Sequence, residues 1–69
     1  MMRTLTAVLH KERALYVADC PEVGTVSQGA TVEEAISNLK EATELYLEEF
    51  PAGESARPLV TTFEVAVHA

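Results

Sequence analysis

Apolar and polar residues alternate along the first 28 positions in a way that predicts strands. From Arg3 to His10, Leu5, Ala7 and Leu9 point one way and Thr4, Thr6, Val8 and His10 the other. Lys11-Glu12-Arg13 is a polar break of hairpin length. Ala14 to Asp19 resumes the alternation, with Leu15 and Val17 on one face and Tyr16 and Ala18 on the other. Cys20-Pro21-Glu22-Val23-Gly24 reads as a second turn, since proline cannot donate to a ladder and glycine tolerates positive φ. Thr25 to Gln28 is long enough for a third short strand. Three successive strands with short connections make an antiparallel meander.

The period then changes. Thr31 followed by Glu34 is a capping box, in which a hydroxyl and a carboxylate satisfy free N–H groups at a helix start. Val32, Ala35, Ile36, Leu39, Ala42, Thr43, Tyr46 and Phe50 recur at three- and four-residue spacing, an amphipathic stripe widened by Leu45 and Leu47. Glu33, Ser37, Lys40, Glu41, Glu44 and Glu48 take the far side, and Pro51 and Gly53 stop the helix. Pro51 to Pro58 is a polar loop. Leu59, Thr61, Phe63, Val65 and Val67 then alternate against Val60, Thr62, Glu64, Ala66 and His68, predicting a final strand. The order is βββαβ, an α+β domain in which one helix covers one face of a four-stranded sheet. The opposite face, with Val8, Tyr16, Val60 and Ala66 among its candidates, is too apolar to be left in water.

Composition narrows the classes. Sixty-nine residues make one small domain with a thin core, and 48% hydrophobic content is too high for a disordered tail. A single cysteine offers no internal disulfide, so self-association is the expected extra support. No apolar run approaches the roughly 20 residues of a membrane span, and the N-terminus lacks an apolar signal region, which points to the cytoplasm. The net charge is −6, and residues 32–50 hold six glutamates against one lysine. Phosphate contacts need clustered Lys and Arg, and no such cluster exists. Direct nucleic-acid binding is disfavoured, whereas a basic protein partner is accommodated. An acidic surface also serves solubility alone.

Candidate chemistry is sparse. Asp19, Glu22, Glu34 and Glu64 lie on or near sheet elements, and converging acids can hold a metal. Glu34 is already engaged in the capping box, and acids are common in turns such as 19–22. His10 and His68 close the first and last strands; if those strands were parallel neighbours, the imidazoles would share one end of the sheet, still without a third ligand. Cys20 precedes a proline in a turn with no nearby histidine and reads as a passive, half-buried thiol. Tyr46 and Phe50 read as core before they read as a stacking platform. There is no P-loop, dinucleotide fingerprint or serine elbow. The residues therefore predict no catalytic site, no metal and no cofactor.

One ordered set of segments is nevertheless specific. Tyr16-Val17-Ala18-Asp19-Cys20-Pro21-Glu22, then Ser27-Gln28-Gly29-Ala30-Thr31-Val32-Glu33-Glu34-Ala35, then Asn38-Leu39-Lys40-Glu41-Ala42 and Glu44-Leu45-Tyr46-Leu47, resembles the HicB-like antitoxin family. The shared pattern is an aromatic residue leading to an acidic-Pro turn (Tyr16, Pro21), a Gly-x-Thr before the helix (Gly29, Thr31), Glu-Glu-Ala at its start (Glu34, Ala35) and Asn-x-x-Glu-Ala within it (Asn38, Ala42). Val23-Gly24 stands where many members have Pro-Gly. The motif residues are folding residues: Gly29 for the strand-to-helix corner, Thr31 and Glu34 for the helix start, Ala35 and Ala42 for close approach to the sheet.

The resemblance implies a partial ribonuclease-H-like fold, a four-stranded mixed sheet with the last strand beside and parallel to the first and with the catalytic acids absent. It implies a type II antitoxin that binds a small basic mRNA-cleaving toxin, HicA-like, and blocks its access to mRNA. Full-length antitoxins of this kind usually carry a C-terminal DNA-binding domain; here the expectation is one HicB-like domain over residues 1–69 and no such addition. Glu41, Glu44 and Glu48 form one outward row by spacing and are the expected partner-binding residues. The alternatives are a solitary HicB-fold oligomeric or regulatory module without a toxin, and a hydrolase or RNA binder that uses the sheet.

Overall fold

The computed structural model of the chain describes residues 2–50 and 59–68. Its elements are β1 (Val8–Glu12), β2 (Leu15–Cys20), β3 (Thr25–Gly29) and α1 (Val32–Glu49). The strands form an antiparallel sheet in the order β1-β2-β3, and the class is α+β. Among the described residues no helix is long and apolar enough to cross a membrane. The expected polar loop from Pro51 to Pro58 lies outside the described residues.

The four-stranded mixed sheet is overturned. Residues 59–68 join no ladder, so the element order is βββα and not βββαβ. Alternation says only that a segment can present an apolar face; a strand exists through the N–H and C=O groups of its neighbour. The consequence is a spread-out molecule. Its Cα radius of gyration is 14.5 Å, against about 11 Å for a compact chain of this length.

The first hairpin also differs from its reading. β1 begins at Val8 and runs through Lys11 and Glu12, and the turn is Arg13-Ala14. Arg13 takes φ 56, the positive value that a two-residue hairpin loop asks of its first central position. Lys11 and Glu12 fit a strand because β1 is an edge, where charged side chains are ordinary. This register pairs Leu9 with Ala18 and Lys11 with Tyr16, and β2 in turn pairs Tyr16 with Gly29 and Cys20 with Thr25. Directly opposed residues share a face. Tyr16 therefore lies on the helix side, half-buried, and not on the open face where it was expected. The open face carries Val8, Leu15, Val17 and Val26 together with His10, Glu12, Asp19 and Gln28. Val60 and Ala66, expected there too, belong to the segment that forms no strand.

The second turn replaces Pro-Gly by backbone geometry. The N–H groups of Val23 and Gly24 both donate to the Cys20 carbonyl, at 3.3 and 2.7 Å, and Gly24 has φ 93. At the helix start the Thr31 hydroxyl accepts from the Glu34 N–H at 3.0 Å. The Glu34 carboxylate reaches back to the Ala30 N–H at 3.0 Å, so the capping box closes one residue before the cap.

α1 packs over β3 and β2. Its buried line is narrower than the predicted stripe: Ala35, Leu39 and Thr43 alone are buried, facing Ala18 and Cys20. Tyr46 and Phe50 are exposed rather than core, their ring centroids 5.0 Å apart. The close fit rests on small residues. A Cβ on Gly29 would sit 2.6 Å from the Ala35 nitrogen, and Ala18 and Ala35 are each 0% exposed. Two polar ties fix the helix lengthwise, Thr25 Oγ1 to Thr43 Oγ1 at 2.6 Å and Asn38 Nδ2 donating to the Gln28 carbonyl at 2.9 Å.

Gly29→Ala is expected to destabilise the fold by about 2 kcal/mol, because the obstacle is backbone that cannot rotate away. Thr31→Ala should lower stability by about 1 kcal/mol. Urea unfolding followed by circular dichroism measures both; a Gly29→Ala midpoint equal to that of the parent would refute the close helix–sheet contact.

Candidate partner-binding surface

The helix is held rigidly at its N-terminus and along one line, which fixes what its other sides present. Glu41, Glu44 and Glu48 are all exposed, as their spacing predicts. Glu41 and Glu48 stand opposite the buried Ala35-Leu39-Thr43 line. Glu44 leans to one flank, where it edges a groove of about 410 Å³ between α1 and the N-terminal residues 2–7. Ile36, Leu39 and Leu47 form the helix wall of that groove, and Leu5 and Cys20 lie across from them.

The charges are arranged asymmetrically along α1. Glu33 and Glu34 occupy the first turn, where the helix dipole favours anions. No basic residue occupies the last turn, although Glu48 and Glu49 do, where the dipole disfavours them. Glu44 and Glu48 are four residues apart and repel. Glu48, at the end of the acidic row, thus stands against the helix's own electrostatics.

The acids considered for chemistry are scattered among other tasks. Glu34 caps the helix. Asp19 lies on the open face, opposite Val8 and Val26. Glu64 and His68 belong to residues 59–68, so the sheet does not bring His68 beside His10. His10 Nε2 instead meets Glu12 Oε2 at 2.9 Å on the exposed edge. Among the described residues no group of three or more His, Cys, Asp or Glu side chains comes together to hold a metal. Cys20 is buried, more than the half-burial expected, with its thiol directed at Glu22 Oε1 at 3.6 Å.

Glu22 has a role that its turn position concealed. Its carboxylate accepts the Thr6 N–H at 3.1 Å on both oxygens and the Thr6 hydroxyl at 2.7 Å. This clip ties the N-terminal segment to the second turn and so forms one side of the groove. The partners are 16 residues apart, and no local spacing rule announces such a pair. The Thr6 hydroxyl, which hydrogen-bonds to the carboxylate, holds the Glu22 carboxyl below its ordinary value.

A UPF0150 protein of Helicobacter pylori strain J99 is 47% identical to this chain over 53 residues, which is 75% of this chain and 74% of that relative. The chain belongs to the UPF0150 family. No family model and no solved structure matches it. Within this UPF0150 chain the residues singled out as a fold motif act as scaffold. Gly29, Thr31, Glu34 and Ala35 set the corner and the helix start, and Asn38 ties the helix to β3. Ala42 is half-buried beside the helix line, Tyr16 packs against the core with Lys11 Nζ 5.8 Å from its ring, and Pro21 is exposed at the turn.

The Glu22 clip makes a pH prediction. A carboxyl held below its ordinary 4.5 stabilises the folded N-terminal segment at pH values above that figure and ceases to do so as the pH falls through the lowered value. Amide exchange at Thr6 should therefore accelerate on acidification in the parent protein. In Glu22→Gln it should be insensitive to pH after correction for the intrinsic rate. An unchanged acid response in the variant would show that another group governs the segment.

Proposed function

We propose that this UPF0150 chain is a HicB-like antitoxin module that binds a small basic HicA-like toxin and keeps it from mRNA in the cytoplasm. The observation that carries the reading is the exposed row Glu41, Glu44 and Glu48 on a helix whose orientation is fixed by its cap and its sheet contacts. An mRNA-cleaving toxin must offer positive charge to phosphate. A rigid acidic row competes for that charge, so the toxin is blocked by occupancy, without catalysis. The motif resemblance and the UPF0150 relationship both support this reading. So does the electrostatic arrangement at the end of the row, since a glutamate at a helix C-terminus such as Glu48 does nothing for the helix itself.

The second reading, a solitary oligomeric or regulatory module, is favoured by a different observation. Residues 59–68 expose Leu59, Phe63, Val65 and Val67, an apolar row that requires cover. The two readings use different surfaces.

Replacing Glu41, Glu44 and Glu48 together by lysine should slow association with the cognate toxin at least about tenfold at low salt, the difference shrinking as salt screens it. Stopped-flow association across a salt series tests this. A folded triple variant that associates at the parent rate moves the docking face off the helix. The same variant separates fold from function, because replacing Glu48 removes an acid from the last turn, which should hold or raise the thermal midpoint. No metal-dependent RNA cleavage is expected; cleavage abolished by Asp19→Asn or Glu64→Gln would replace the antitoxin reading by an enzymatic one.

A further inference from the structure

We infer that Leu45 is the apolar anchor of the partner-binding surface, with Glu41, Glu48 and Glu49 as its acidic rim. Such a surface fits a protein partner that presents lysine or arginine about an apolar pocket. This assignment rests on the antitoxin reading and divides the surface into the residue that holds the partner and those that attract it. By sequence Leu45 only widens the apolar stripe, but the fold leaves it 59% exposed. On a helix the neighbours of a side chain stand three and four residues away. For Leu45 these are Glu41, Ala42, Glu48 and Glu49: three exposed carboxylates and one half-buried alanine. Tyr46 and Phe50, also exposed near the end of α1, follow Thr43 by three and seven residues and so continue the buried line. Glu44 adjoins Leu45 in sequence only. It is turned about 100° away, toward the groove, and Lys40, the one base of α1, stands four residues before it.

A single leucine on a surface is ordinary. What sets Leu45 apart is its rim. Among the described residues Glu41, Glu48 and Glu49 have no ion-pair partner, and no lysine or arginine occupies any of the four positions next to Leu45. An apolar centre within a charged rim is the arrangement of an interface hot spot, where the centre binds once desolvated and the rim keeps water out. The sign of the rim selects the occupant. A second copy on a two-fold axis would set the same three carboxylates against themselves, with −6 on each chain. A basic surface compensates those acids and covers Leu45 in the same step. The two parts then govern different rates. Rim charges set the speed of encounter and its salt dependence, whereas the anchor sets how long the complex lasts.

Stopped-flow association and surface plasmon resonance dissociation with the cognate HicA-like toxin separate the two. Leu45→Ala should raise the dissociation rate at least about tenfold, the effect of losing an interface anchor, with the association rate and its salt slope unchanged. Its thermal midpoint should hold or rise, because the position is exposed and alanine is the better helix former. Glu49→Gln should slow association at low salt as Glu41→Gln does, and both should approach the parent as salt rises. An association rate indifferent to Glu49→Gln would remove that residue from the rim. If the triple lysine variant associates slowly while Leu45→Ala dissociates at the parent rate, the glutamate row stands and the anchor falls. If both behave as the parent does, or the parent binds no toxin at micromolar concentration, both fall. Sedimentation equilibrium of the chain alone should give the same mass for the parent and Leu45→Ala. A parent dimer that the substitution dissociates would assign Leu45 to a second copy and overturn the inference.

Discussion

Everything in this molecule depends on how closely one helix approaches one sheet. At Gly29 the strand backbone meets the backbone of Glu34 and Ala35 with no room for a Cβ, and Ala18 and Ala35 close the gap behind it. A helix drawn this near aligns Leu39 and Thr43 over β2 and β3, which in turn makes the Thr25–Thr43 and Asn38–Gln28 hydrogen bonds possible. The N-cap pair sets the direction of the axis, and the small residues set its height. The outward direction of Glu41 and Glu48 is a consequence of those two settings.

The same closeness limits the core. Small residues permit contact but bury little apolar area, and among the described residues no large side chain is fully enclosed. A chain of this length is already short of buried surface. The remaining apolar side chains have to find water or another surface: Val8 and Val26 on the open face, Leu45 and Phe50 on the helix, Phe63 and Val65 beyond it. Tight packing at the corner and exposure elsewhere are therefore one trade, made at Gly29 and Ala35.

What could be read from residues alone follows the range of the interactions. The capping box and the helix register are local, and Thr31, Glu34 and the 3.6 period specify them without reference to the rest of the chain. The outward glutamate row was legible for the same reason. β1 was misplaced because Lys11 and Glu12 look like a turn, whereas on an edge strand they are harmless; only the pairing with Tyr16 and Leu15 reveals them as strand. That shift of register also decided the side on which Tyr16 lies. Residues 59–68 show the limit most clearly. Their alternation describes an amphipathic segment correctly and does not say whether any sheet edge receives it. The Glu22–Thr6 clip was invisible because each residue alone is ordinary in its turn or strand, and only the fold brings them together.

Two surfaces of opposite character emerge, and their geometry decides how they interact. The acidic row runs along the outer side of α1, while the apolar groove opens on its flank toward the N-terminal segment. They share one residue, Glu44, which belongs to the row by spacing and to the groove by position. Glu41 and Glu48 stay clear of anything seated in the groove. A carboxylate at a groove rim loses hydration when an apolar segment enters, which raises the energy of its charged form unless a cation compensates. The basic partner proposed for the row would supply that cation, so occupation of the groove and occupation of the row would favour one another through Glu44. Coupling of this kind needs no conformational change. It follows from one side chain that faces both a desolvating neighbour and a charged one, and by linkage it acts equally in both directions.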